Sequence, residues 1–346
     1  MMILRHSSLE GLLSTLSTGA RVYVPAKADG VTKFVLYSSS VRPDFSITNT
    51  TMPPKDLLFP QTQHMYRYGT DAEGVPYVEP VHDADDVIVF GMRPCDVRSI
   101  ECMDDVFLTK GFVDVSYQAK RERLLMVAMA CTAPAPTCFC NSMGLCPTAA
   151  PLADILLRPA GATDASGDTA YLVEAQSEKG QAALAQWESY KATDTSDADF
   201  EPVSAAVSCS LKVSMVGVKD KLEAMFDHPI WEQLSKKCIT CGTCTFVCPT
   251  CHCFDISQEN RLSEGTRFRC WDSCMFTAYT EMAGGHNPRA SKSARVRQRF
   301  MHKLCFFEQR YGKTLCVGCG RCVEKCPVAL DITCLIDQIG AADVAY

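Results

Sequence analysis

Two short cysteine runs in the last third of the chain have the residue type and the spacing of metal ligands. Both read C-x2-C-x2-C-x3-C-P, and their cysteines are Cys238, Cys241, Cys244 and Cys248 in the first run and Cys316, Cys319, Cys322 and Cys326 in the second. This spacing binds Fe4S4 clusters in pairs, because three thiolates of one run hold one cube and the fourth cysteine reaches the other. The pattern therefore predicts electron transfer through two clusters.

The crossed arrangement assigns every cysteine of the two runs to a cluster. We predict one [4Fe-4S] cluster on Cys238, Cys241, Cys244 and Cys326, and a second on Cys316, Cys319, Cys322 and Cys248. The proline after each fourth cysteine suits the first turn of a helix, where a missing N–H does no harm. Structural zinc is the competing interpretation, but zinc sites use separated pairs of ligands rather than four cysteines within eleven residues.

Four further cysteines lie where a fold could bring them together. Cys95 follows the apolar run DVIVFG, and Cys131 ends the apolar run LLMVAMAC, with one helical segment between them. This order predicts a β-α-β unit whose parallel strands set both residues at the carboxyl edge of a sheet, where open α/β folds bind ligands. The loop TAPAPTCFC returns Cys138 and Cys140 to that edge. Four converging thiols suit a third cluster; the alternative is four buried core residues, a common role of free cysteine.

Length, charge and cysteine content limit the class of protein. The chain has 346 residues, a net charge of −6 and 21 cysteines, and it is 47% hydrophobic. The acidic balance argues against nucleic acid as a partner. The start, MMILRHSSLEGLLSTL, lacks a secretory signal pattern, and no apolar run approaches the ~18 residues that span a bilayer. We therefore expect reduced thiols held for metal in the cytoplasm of an anaerobic cell.

The remaining patterns predict an α+β protein of two domains. Strands are predicted at Arg21–Val24, Lys33–Tyr37, Asp86–Phe90, Leu124–Cys131 and Tyr171–Glu174, and helices at Asp96–Leu108, Lys179–Tyr190, Asp272–Met282 and Ser293–Tyr311. Residues 1–219 form an α/β-type N-terminal domain in this prediction. Residues 220–346 form an α-helical two-cluster ferredoxin domain, in which helices rather than a small β-ribbon surround the clusters.

One helical segment is strongly basic. It contains Arg289, Lys292, Arg295, Arg297, Arg299, His302 and Lys303. Lys292, Arg295, Arg299 and Lys303 share a face at helical spacing. Either these cations form a solvated helix surface, or they offset the negative charge of the clusters or dock an acidic partner.

Several runs together resemble a known family of iron–sulfur subunits. They are CITCGTCTFVCPTCHCFD, WDSCMF, EMAGGHNPR and LCVGCGRCVEKCP, with TMPPK, RPCD and CFCNSMG in the first half. The β subunit of cytoplasmic sulfhydrogenase and an iron–sulfur subunit of anaerobic sulfite reductase represent this family, and the resemblance covers nearly the whole chain. It implies an electron relay that links a flavin-containing, NAD(P)H-oxidising reductase subunit with a separate catalytic subunit.

The resemblance also bears on the remaining cysteines. The family has counterparts of four N-terminal cysteines, which favours a third [4Fe-4S] cluster on Cys95, Cys131, Cys138 and Cys140. Cys146 competes as a ligand by position, but it is a departure peculiar to this chain and is left out of the set. Cys102 and Cys209 sit in apolar contexts, which predicts core positions.

Three cysteines that the family shares have no clear ligand role. Cys251 lies one helical turn after Cys248 and could replace it as a ligand. We predict that Cys253 and Cys274 pack beside the clusters, where their S–H groups influence the reduction potential.

The chain lacks the motifs of a self-contained enzyme. There is no G-x-G-x-x-G after a strand, no G-x4-G-K-[ST], no adjacent Cys-Cys pair and no recognisable catalytic triad or carboxylate pair. The sequence thus predicts a non-catalytic electron-transfer subunit of a multi-subunit oxidoreductase, of sulfite reductase or hydrogenase type. The alternative is a stand-alone reductase of a small sulfur compound, which would need a cluster short of one thiolate.

Overall fold

A computed structural model of the protein describes residues 2–81, 85–159, 168–192 and 207–342. The strands in these ranges are β1 Met2–Arg5, β2 Arg21–Ala28, β3 Val31–Leu36, β4 Thr62–Thr70, β5 Pro76–Pro80, β6 Val87–Met92, β7 Leu124–Met129, β8 Ile155–Pro159, β9 Ala170–Ala175, β10 Phe254–Arg261 and β11 Glu264–Trp271. The α-helices are α1 Leu9–Leu16, α2 Lys55–Leu58, α3 Pro94–Leu108, α4 Val115–Glu122, α5 Glu178–Leu184, α6 Val218–Ala224, α7 Ile230–Lys237, α8 Thr243–Phe246, α9 Lys292–Met301, α10 Phe307–Tyr311, α11 Arg321–Lys325 and α12 Ile332–Ala341.

A seven-stranded sheet organises the first half of the chain, in the order β1-β9-β8-β7-β6-β2-β3. Its centre is parallel, because β2, β6, β7 and β8 pair in parallel, while β1, β3 and β9 add antiparallel edges. Every residue of β7 is buried, as expected of a central parallel strand with both faces covered. Trp187 packs on one face of the sheet and Phe107 on the other.

The predicted β-α-β unit is confirmed, since β6 and β7 are parallel neighbours. Its connection contains two helices rather than one. Gly111 (φ 88°) turns the chain after α3, and the side chain of Asp114 caps α4 by accepting a hydrogen bond from the Tyr117 N–H at 2.9 Å. This topology places Cys95 in the first turn of α3 and Cys131 just beyond β7, at one edge of the sheet.

A second, antiparallel sheet has the order β10-β11-β4-β5 and takes two strands from each half of the chain. The hairpin β10–β11 lies between the two cysteine runs and was not predicted. The prediction of a helix at Asp272–Met282 is wrong, because only Ala278–Thr280 forms a helical turn there. Local hydrogen bonds compete with a helix in this segment, because Ser273 Oγ accepts from the Met275 N–H and the Asp272 carboxylate accepts from the Ser273 N–H.

Helices surround the two cysteine runs, as predicted. The helix predicted at Ser293–Tyr311 is confirmed as α9 and α10, joined by a π-helical turn at His302–Phe306. Such a turn is frequent at functional sites. Trp231, Phe300 and Leu335 belong to the core that these helices share. In the ranges that the structure describes, no helix is long and apolar enough to cross a bilayer.

Candidate metal centres

The first centre lies where the loop after α7 meets the end of α11. One cavity is lined by Cys238, Cys241 and Cys244 of the first run and by Cys326 of the second. The N–H groups of Thr240 and Leu330 donate to the sulfurs of Cys238 (3.4 Å) and Cys326 (3.3 Å). Backbone N–H groups that donate to sulfur stabilise the thiolate form of cysteine. The four cysteines that line this cavity are the crossed set that the spacing predicts.

The second centre gathers Cys316, Cys319, Cys322 and Cys248. Burial is the main cause that raises the pKa of the first three thiols, to about 12 for Cys316, and the nearby Cys248 raises each further. Cys251 contacts Cys248. Their hydrogen bond is the main cause that lowers the pKa of Cys248, and Lys303 lowers that pKa further. Cys248 acts on the pKa of all three other thiols, as expected of the predicted fourth ligand.

A third group of thiols lies at the carboxyl edge of the large sheet. One cavity is lined by Cys95, Cys131, Cys138, Cys140, Cys146 and Cys319. Cys146 is exposed at the surface, whereas Cys95, Cys138 and Cys140 are buried. Cys209 is buried as predicted, but its sulfur lies 3.5 Å from that of Cys140. Cys102 is a fully buried core residue.

The third group is pressed directly against the second centre. The Phe139 N–H donates to the Gly318 carbonyl at 2.8 Å. A Cβ at Gly318 would lie 2.6 Å from Cys140 Cα, and one at Gly320 would lie 2.5 Å from the Thr137 carbonyl oxygen. Both glycines also have a positive φ, of 64° and 76°. Only glycine permits this approach of two cysteine-bearing loops.

Buried cations face the C-terminal thiols. Arg299 is buried, and its Nε and Nη2 have no hydrogen-bond partner. Burial lowers the pKa of Arg299, but thiolates such as those of Cys244 and Cys322 outweigh burial and raise it above its usual range. Lys303, in the π-helical turn, donates to Thr250 Oγ1 at 3.0 Å. Arg299 and Lys303 therefore turn inward from the basic helix, while Arg297 pairs with Asp227 at the surface.

The residues fit [4Fe-4S] clusters by their donor chemistry. Each C-terminal centre brings together four cysteine sulfurs, the usual ligands of such clusters, and six cysteines line the N-terminal cavity. The buried guanidinium of Arg299, two of whose nitrogens lack a hydrogen-bond partner, lies near thiols of both C-terminal centres and requires nearby negative charge, which thiolate-bound iron–sulfur clusters supply. Among the described residues, no three His, Cys, Asp or Glu side chains are arranged to hold a single metal ion.

Several residues at these centres were not identified from the sequence. Arg321 and Asp96 form a buried ion pair at 2.8 Å, and Arg321 Nε donates to the Thr50 carbonyl at 2.6 Å. Lys55, buried over the Trp271 ring at 3.9 Å, donates to the Cys251 carbonyl at 3.0 Å. Lys55 lies in the TMPPK run and Asp96 in the RPCD run, but neither run indicates which distant residue the charged side chain contacts.

Cys253 and Cys274 form a hydrogen-bonded pair, and Cys253 also bonds to Tyr279. The bond with Cys274 is the main cause that lowers the pKa of Cys253 to about 6. Both cysteines belong to or pack against the helical core next to the first centre. This places both cysteines beside the first centre, and packing without ligation stays a prediction.

Two comparisons with known proteins extend these observations. Residues 237–330 match the family model described as a 4Fe-4S dicluster domain. Over 328 residues the chain is 30% identical to sulfhydrogenase 2 subunit beta of Pyrococcus furiosus, and this alignment covers 92% of each chain. The first match contains both cysteine runs, and the second covers enough of the chain to reach into its N-terminal half.

Proposed function

Because the chain belongs to the iron–sulfur β-subunit family that includes the Pyrococcus protein, we propose that it relays electrons and so links a flavin-containing, NAD(P)H-binding subunit with a catalytic subunit of hydrogenase or sulfite reductase type. The chain is an iron–sulfur electron-transfer subunit with [4Fe-4S] clusters in its C-terminal region. A bound Fe4S4 cluster supplies one-electron transfer. We place this activity in the cytoplasm.

We further propose a third [4Fe-4S] cluster on Cys95, Cys131, Cys138 and Cys140. The observation that carries it is the single cavity that these four thiols line, reached from two strand ends and a returning loop. The contact with the second centre supports a continuous route, since Cys138 Sγ lies 3.6 Å from the Cys319 carbonyl oxygen. Short steps between neighbouring centres are what a relay requires.

Each end of this proposed route has exposed residues of its own. At the first centre, Cys241 is exposed and Ile239 is 59% exposed. Near the N-terminal centre, residues 131–152 contain no charged side chain and leave Cys146 exposed. Interfaces between permanent subunits are depleted of charge at their centre. We therefore propose one partner at each end, with residues 1–219 and 220–346 as the two cluster-bearing domains.

Cluster content tests the third centre directly. Iron, acid-labile sulfide and electron paramagnetic resonance spectra are measured on the full chain, purified without oxygen, and on Cys131→Ala and Cys102→Ala. We expect three clusters in the parent, two in Cys131→Ala and three in Cys102→Ala, because Cys102 is a core residue outside the ligand set. Two clusters in the parent, or unchanged iron in Cys131→Ala, would contradict the third cluster.

Electron entry tests the relay. The isolated full chain should be reduced by dithionite but not by NADH alone, because no dinucleotide-binding motif is present. Adding the flavin subunit that co-purifies from the native cell should make reduction by NADH or NADPH rapid. Rapid bleaching of the flavin-free chain by NADH would refute the proposed division of labour.

A further inference from the structure

Asn49 lies between the N-terminal thiols and the second C-terminal centre. Its Nδ2 donates to Cys138 Sγ at 3.2 Å and to the main-chain carbonyl of Cys319 at 2.7 Å. Its Oδ1 accepts a hydrogen bond from the Cys95 thiol at 3.6 Å, a bond that a cluster-bound thiolate does not make. A single amide thus contacts two sulfurs of one centre and the backbone of a ligand in the next.

The orientation of this amide follows from its neighbours. The Cys319 carbonyl can only accept a hydrogen bond, so the Asn49 NH2 group must face it. The same NH2 group has a second hydrogen, which points to Cys138 Sγ. Both donors of Asn49 are therefore committed, one to each centre.

The segment that carries Asn49 is held firmly. The carbonyl and hydroxyl of the next residue, Thr50, accept from the buried Arg321 at 2.6 and 3.3 Å. The preceding residue, Thr48, donates from its hydroxyl to the Ala133 carbonyl at 3.0 Å. These bonds fix Asn49 on both sides, as expected of a side chain that must hold a defined position beside a ligand.

We propose that Asn49 is a positioning residue that joins the N-terminal centre to the second C-terminal centre and raises the reduction potential at the N-terminal centre. This inference rests on the proposed third cluster. A hydrogen bond donated to a ligand sulfur withdraws negative charge from it and makes an added electron more favourable. The bond to the Cys319 carbonyl fixes how closely the two cysteine loops approach.

Variants at two asparagines separate this role from a general effect on stability. Asn49→Ala removes both donors. Asn49→Asp keeps the shape, also removes both donors and adds a negative charge beside Cys138. Asn141→Ala is the matched control. Asn141 directly follows Cys140, and its side chain accepts from the Cys209 N–H and donates to the Leu145 carbonyl, with no bond to sulfur.

The measurement is a potentiometric titration of the full chain followed by electron paramagnetic resonance, with iron content determined on each sample. The signal that Cys131→Ala removes identifies the N-terminal cluster. We expect that signal to shift to lower potential in Asn49→Ala and further in Asn49→Asp, with iron content unchanged. Asn141→Ala should leave the potential at the parent value.

Each other outcome has a distinct meaning. Two clusters in the parent would refute the proposed third cluster and this inference with it. Three clusters with unchanged potentials in both Asn49 variants would overturn the inference and leave the proposed function intact. Loss of iron from the N-terminal centre in both variants would also overturn it, because Asn49 would then act as a structural support alone.

Discussion

The C-terminal centres and the proposed N-terminal centre use the same ligand but are built differently. Each C-terminal centre takes three thiols from seven consecutive residues, and only the fourth comes from elsewhere. The N-terminal centre takes its thiols from two strand ends and a loop, and Cys319 of the second centre completes its wall. A local run specifies most of its own geometry, whereas an assembled centre depends on contacts far from its ligands. The assembled centre should therefore be the more sensitive to changes outside the ligand set.

Loss of one C-terminal ligand has the largest expected effect. It also tests whether the N-terminal centre depends on the second C-terminal centre. Cys241→Ala should remove the first cluster and Cys319→Ala the second, each lowering iron by about four atoms per chain. Both should also lower stability, because metal binding and folding are linked. Only Cys319→Ala should disturb the N-terminal centre as well, since Cys319 lies in its wall. Iron analysis and spectra of each variant measure this, and equal effects on the N-terminal centre would break the comparison.

The sequence predicted both sets of thiols, but it missed the contacts between distant segments that surround them. Spacing alone indicated the crossed thiol sets, and apolar runs indicated the parallel strands β6 and β7 that set Cys95 beside Cys131. The hairpin β10–β11 was missed because β4, the strand that pairs with β11, lies about 200 residues earlier. Asn49 and Arg321 were missed for the same reason, since each acts through residues that no short pattern connects to it.

Gly318 tests the contact between the two cysteine loops. Gly318→Ala adds a Cβ 2.6 Å from Cys140 Cα at a φ of 64°. Backbone strain and overpacking together should cost about 2–5 kcal/mol. Gly312→Ala is the matched control, because Gly312 also has a positive φ, of 73°, but no atom would lie within 4 Å of the new Cβ. This control should cost about 1–2 kcal/mol from strain alone.

The readouts for this pair are thermal unfolding of the iron-loaded protein and iron retention. Gly318→Ala should lower the unfolding midpoint more than Gly312→Ala and release iron from the N-terminal centre first. Equal unfolding midpoints would mean that the two cysteine loops can separate without loss of stability. The N-terminal centre would then depend less on the second centre than its packing indicates.

Arg299 tests the C-terminal pair as a unit. Its guanidinium is buried and lies near Cys244 of the first centre and Cys322 of the second. Arg299→Leu should make reduction of both C-terminal clusters less favourable by about 1–3 kcal/mol, from Coulomb attraction at an effective dielectric constant of about 20. The N-terminal centre should shift least. Arg297→Leu, which removes a surface ion pair from the same helix, should change the potentials little. A shift confined to the N-terminal signal would contradict this assignment.

Substitution of Cys274 has the smallest expected effect. It tests whether the first centre takes its ligands only from the two cysteine runs. Cys274 is buried, packs with the helical core beside the first centre and bonds to Cys253, which also lies outside the predicted ligand sets. Cys274→Ala should therefore cost about 1 kcal/mol of stability and leave iron and sulfide at the parent level. Cys326→Ala, at the same centre, should lose a cluster. Iron loss in Cys274→Ala would mean that the first centre also takes a ligand from the distant segment after β11. The C-terminal centres would then be assembled across the fold in the same way as the N-terminal one, and the difference between the two regions would disappear.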